Sequence, residues 1–176
     1  VGAMAAHLPP ILQANGLTAA LAITLASLKG FAQVGGRVVE LIWGSHLHPI
    51  TVGRLTVLFF PLSFLVLIAG GATFTAAFVF TMLFGVANGL LTIVRGAVPL
   101  ALFGSNGYGA VLGLLATPYL LLNAAAPAIL AVVVDHWGYE GAGKLLVVVG
   151  LASLAAMEGM ALWYRRRTQQ AVPPAT

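Results

Sequence analysis

Long apolar runs, broken at intervals by Gly, Pro and small polar clusters, dominate this chain. Residues 55–94 hold no Asp, Glu, Lys or Arg, and neither do residues 96–134. Each stretch is about 40 residues, whereas a membrane-spanning helix needs only ~20 apolar residues to cross a hydrocarbon core of ~30 Å. The first stretch is thus twice the length of one span, and Gly70-Gly71 lies near its middle. It reads as a helical hairpin in a bilayer.

Breaker residues divide the rest. A partial first helix ends at Pro9-Pro10, with a turn at Gln13–Gly16, and a second runs from about Leu17 to Trp43. A third covers Val52–Ala69, and the glycine pair turns it into a fourth, Ala72–Val94. Arg95–Gly109, rich in Gly and Pro, reads as a connection, and Tyr108–Val134 as a fifth helix. Asp135–Gly141 reads as a polar loop before a sixth helix, Gly143–Tyr164. The expected organisation is a transmembrane bundle over residues 1–164 and a basic tail over residues 165–176.

Composition agrees. The chain is 60% hydrophobic and 7% charged, with mean hydropathy +1.02, where soluble domains carry ~25% charged residues. A soluble core of this size could not conceal so much apolar surface. The net charge of +4 does not point to nucleic acid, because Arg165-Arg166-Arg167 sit together directly after the last apolar run. Such a juxtamembrane cluster marks a cytoplasmic flank. Arg37, Arg54 and Arg95 fall on the same side, whereas Lys144 lies opposite with Asp135 and Glu140. By the positive-inside rule the C-terminus is expected in the cytoplasm and the Asp135–Glu140 loop outside. Without cysteine there is no disulfide framework and no Cys-ligated metal. Val1 is not a methionine, no basic region precedes the first apolar stretch, and Val1–Leu12 covers about half a span. The expectation is the C-terminal part of a longer polypeptide.

Polar residues are distributed unevenly. The third helix carries little beyond Arg54, Thr56 and Ser63, as a lipid-facing helix should. On the second, Lys29, Gln33, Arg37 and Glu40 follow helical spacing. Lys29 falls roughly 18 Å from the helix start, a depth where a charge is expensive unless it faces a cavity or partner. It is the leading candidate for substrate contact, against a lysine that merely snorkels. Arg37 and Glu40, one turn apart, read as an ion pair or latch. The fourth helix carries Thr81, Asn88, Thr92 and Arg95, and the fifth Thr117, Tyr119 and Asn123 with Pro118 and Pro127 interrupting it. Broken helices with small residues either line a permeation path or only pack closely. Gln33, Asn88, Tyr119 and Asn123 are candidate cavity-lining residues on that footing. His7 and Glu158 are candidate proton carriers, the alternatives being a structural histidine and a glutamate paired with a tail arginine. The four histidines, His7, His46, His48 and His136, fall in different segments, so no metal site is expected. No phosphate-binding loop, His-Glu-x-x-His or nucleophile elbow is present; neither enzymatic activity nor a cofactor is expected.

Several short motifs carry a resemblance: His7-Leu8-Pro9-Pro10, Asn15-Gly16-Leu17, Gly36-Arg37 with Glu40, Gly85, Asn88-Gly89, Arg95-Gly96, and Phe103-Gly104 followed by Tyr108-Gly109. The pattern resembles the C-terminal half of a major facilitator superfamily transporter, in the bacterial branch similar to monocarboxylate transporters. That resemblance implies an all-α integral membrane fold: six helices, the seventh (truncated) to the twelfth of a twelve-helix bundle. It implies a secondary transporter working by alternating access, in the bacterial inner membrane, with the absent N-terminal half as its partner in the same polypeptide. Lys29 would then attract an anionic substrate such as a small carboxylate, with proton coupling. Arg37, Glu40 and Arg95 would serve gating, although the charged motif expected between the eighth and ninth helices is degenerate here. The competing readings are a complete small membrane protein that homodimerises and a non-transporting scaffold or sensor.

Overall fold

A computed structural model describes residues 2–14, 16–71 and 73–170. Among them are five α-helices and a 3-10 turn at Gly44–His46: α1 (Gly2–Ala14), α2 (Ala19–Trp43), α3 (Pro49–Gly70), α4 (Phe74–Phe103) and α5 (Tyr108–Gln170). Local chemistry sets the starts. Thr18 Oγ1 accepts from the Leu21 amide and Thr73 Oγ1 from the Ala76 amide, each satisfying a donor that the first turn leaves free. His48 Nδ1 does the same for Ile50, with Pro49 in the first position, where its missing N–H is harmless.

Among the described residues, four segments are long and apolar enough to cross a membrane: α2, α3, α4 and residues 108–167 of α5. The chain is compatible with a multi-pass membrane protein. Helix α3 shows why in its side chains. One side buries Phe64 and Leu67, and the other exposes Leu55, Leu58, Leu62, Leu65 and Ile68. A helix apolar all round has a stable surface only in lipid or inside a large core.

The expected six-helix bundle is not what forms. The fifth and sixth helices are a single element of 63 residues, α5, and the expected polar loop is a kink at Gly138 (φ 66°, ψ −179°). That backbone conformation is essentially open to glycine alone. A lone glycine therefore reverses the chain, while Asp135, His136 and Glu140 on either side stay helical. The two arms fold back on each other, since Leu130 packs on Ala142 with Ala126 and Leu146 beside them.

Two boundaries also move. Helix α1 continues through Pro9-Pro10 to Ala14, held by burial of Leu8, Ile11 and Leu12. Helix α4 continues nine residues past Val94, through Pro99 to Phe103, so the connection shrinks to Gly104–Gly107. The tail is helical through Arg165-Arg166-Arg167 to Gln170; Val1, Asn15, Ala72 and residues 171–176 lie outside the described residues.

Packing follows small residues and aromatics. Ideal Cβ atoms at Gly85 and Gly36 would lie 2.8 Å from the carbonyls of Lys29 and Val86, and one at Gly89 would strike the carbonyl of Gln33. Helices α2 and α4 thus run parallel with backbones in contact, the small-residue packing that membranes favour. Below them Phe64, Phe80 and Phe84 stack with Met4, Leu8 and Leu25 in the main core.

Candidate functional site

The backbone contact between α2 and α4 brings their polar residues together. Lys29 and Gln33 are one turn apart on α2, opposite Gly85 and Gly89 of α4. Asn88, beside Gly89, donates from Nδ2 to Gln33 Oε1 at 3.1 Å. Lys29 is half-buried and makes no hydrogen bond or ion pair among the described residues. It lies ten residues from Ala19, about 15 Å along a helix about 37 Å long. An ammonium group without a partner among the described residues therefore sits near the middle of α2, beside a hydrogen-bonded amide pair.

A second set meets where α4 faces the first arm of α5. Arg95 follows Asn88 by seven residues, two turns on the same face. Its guanidinium carbon lies 3.7 Å from the centroid of the Tyr119 ring, and the Tyr108 hydroxyl donates to the Gly96 carbonyl at 3.0 Å. Asn123 is one turn beyond Tyr119. Its carbonyl would bond residue 127 in an unbroken helix, but Pro127 has no N–H to give. The freed carbonyl and the Asn123 side chain lie against Gly2 of α1, where a Cβ would come within 2.6 Å of either oxygen. One turn further, His7 Nε2 donates to the Pro127 carbonyl at 3.2 Å. The proline break is thus the docking point for α1.

The sequence-predicted residues divide accordingly. Lys29, Gln33 and Asn88 come together, as do Arg95, Tyr119 and Asn123, and α4 joins the two sets. Arg37 and Glu40 form no ion pair among the described residues. Arg37 is exposed, whereas Glu40 packs its side chain on Gly44 and lines a recess of about 190 Å³ with Pro49, Val52 and Ala97. Glu158 is engaged by Arg54, with Nε to Oε1 at 2.5 Å. Sequence reasoning used Arg54 only for orientation and missed this pair. It also missed the tilted stack of His48 on Tyr164, 5.3 Å between centroids.

The arrangement groups two cationic side chains with amide and aromatic groups of neighbouring helices. What it can do is attract and orient an anion: one cation at mid-depth, another two turns further along, and amide groups between them. Comparison of the chain with protein-family models, with curated proteins and with solved structures finds no match.

Proposed function

We propose that this chain is part of a secondary transporter that moves a small organic anion, with Lys29 as the electrostatic partner of the substrate. The observation that carries the reading is Lys29, half-buried near mid-span with no partner among the described residues, because a charge inside a span is retained against its solvation cost where it serves a pathway. The Gln33–Asn88 pair beside it offers an acceptor and donors at the same depth. The resemblance to the major facilitator superfamily supports alternating access, with the opposite wall of the path coming from the rest of the polypeptide. Arg37, Arg54, Arg95 and the Arg165–Arg167 cluster occupy one end of the bundle, which supports placement in a bacterial inner membrane with the C-terminus in the cytoplasm.

Uptake of labelled small carboxylates by cells expressing the full-length polypeptide tests the proposal. Lys29→Gln abolishes uptake at unchanged membrane abundance, and Lys29→Arg restores part of it. Equal uptake by Lys29→Gln and the unmodified protein would sink the reading.

A further inference from the structure

Four ionisable groups share one level of the bundle. Gly53 of α3 faces Val94, Val98 and Met157. Arg54, Arg95 and Glu158 each follow one of these contacting residues in the chain. Glu40 lines its recess with Ile93, Val94 and Ala97 at the same height. From Phe74 to Val94 α4 is free of charge over about 32 Å, the thickness of a hydrocarbon core. The shared level is therefore where acyl chains give way to headgroups. Arg54 is neutralised there by Glu158. Arg95 has no carboxylate partner among the described residues; its guanidinium is stacked on Tyr119 with its N–H donors unengaged.

Beside Arg95 lies a groove of about 540 Å³ between α4 and the first arm of α5. Val98, Pro99, Leu112 and Leu115 wall it, and Arg95 is its only charged residue among the described ones. Leu115 and Leu120 are 48% and 59% exposed along it, so it opens sideways. A trough of this kind, apolar with one cation at headgroup level, complements a molecule with an anionic head and an aliphatic body.

We propose that the groove holds an anionic phospholipid, its phosphate on the Arg95 donors and its upper acyl carbons against Leu112, Leu115 and Val98. The bilayer presents such a molecule at this level, and basic pockets between spans take anionic headgroups. Arg95 also belongs to the polar set described above, but lipid retention is read without transport, so the proposal stands or falls apart from the uptake experiment.

The test uses the full-length polypeptide, purified in detergent and delipidated, with palmitoyl-oleoyl phosphatidylglycerol, the matching phosphatidylcholine, or oleate added. Bound lipid is read by native mass spectrometry. The unmodified protein retains phosphatidylglycerol over phosphatidylcholine. Arg95→Gln lowers that preference about fivefold, the worth of one arginine against anionic lipid, whereas Lys144→Gln, outside the groove and paired with Glu140, leaves it intact. Leu115→Trp fills the groove, keeps Arg95 and also lowers retention; it decides the matter alone if Arg95→Gln does not survive purification. Equal retention of both phospholipids overturns the proposal, as does a preference unchanged by Arg95→Gln or by Leu115→Trp. Displacement of phosphatidylglycerol by an equal concentration of oleate also overturns it, assigning the groove to a free acyl anion.

Discussion

Arg54 and Glu158 stand 104 positions apart in the chain and meet at 2.5 Å, tying α3 to the second arm of α5. Beside them Gly53 packs on the Met157 methyl group, so the ion pair sits against an apolar contact between the same two helices. Removing one partner leaves the other charge half-buried and unpaired, whereas removing both does not.

A double-mutant cycle follows from this. Glu158→Gln and Arg54→Gln each lower the thermal midpoint in detergent, and the double variant loses less than their sum. The exchange Arg54→Glu with Glu158→Arg recovers part of the loss. Strict additivity would show that the two side chains are not coupled.

The α2–α4 contact makes two glycines behave oppositely. Gly89→Ala forces a methyl group into the Gln33 carbonyl and costs about 1–3 kcal/mol, the range for overpacking. Gly30→Ala meets no atom within 4 Å and gains about 0.5–1 kcal/mol from a stiffer unfolded chain. Unfolding curves in detergent distinguish them, and equal effects would remove the close approach.

Gly138 is the one residue at which α5 departs from helix. Gly138→Ala is expected to destabilise by about 1–3 kcal/mol, because its positive φ with extended ψ strains any residue with a Cβ. Gly159→Ala, in the second arm with open space around it, serves as the control and stabilises slightly. Thermal midpoints of the pair check this.

The Gln33–Asn88 bond separates structure from transport. Interhelical hydrogen bonds within membranes average only ~0.6 kcal/mol. Asn88→Ala should therefore barely change stability. A fall in uptake at unchanged thermal midpoint assigns the amide to the path; unchanged uptake assigns it to packing.

The cysteine-free sequence permits a direct topology test. Ser105→Cys, in the α4–α5 connection, and His136→Cys, beside the kink, are both exposed. A membrane-impermeant maleimide applied to intact cells labels His136→Cys and spares Ser105→Cys, which reacts only after permeabilisation. The reverse pattern would invert the orientation.

Hydrophobic runs alone were enough to read helices long and apolar enough to cross a membrane, because a span is set by length and the absence of charge, both local properties. Helical spacing put Lys29, Gln33, Arg37 and Glu40 in one stripe and Asn88 in a stripe of another helix, but not the bond that joins Asn88 to Gln33. The turn at Gly138 was legible as a reversal but not as a kink within one element, since its flanks, Asp135 and Glu140, have loop-like composition yet remain helical. A helix end was read at Pro9-Pro10 and a connection over Arg95–Gly109, but α1 runs on to Ala14 and α4 to Phe103, each with its prolines inside the helix. Tertiary structure alone decided which charges are neutralised. Arg54 finds Glu158 across 104 positions, Arg37 and Glu40 stay apart although one turn separates them, and Arg95 is left on Tyr119. Periodicity places a residue on a face of its own helix; which other helix comes to that face depends on backbone contacts such as those at Gly36, Gly85 and Gly89.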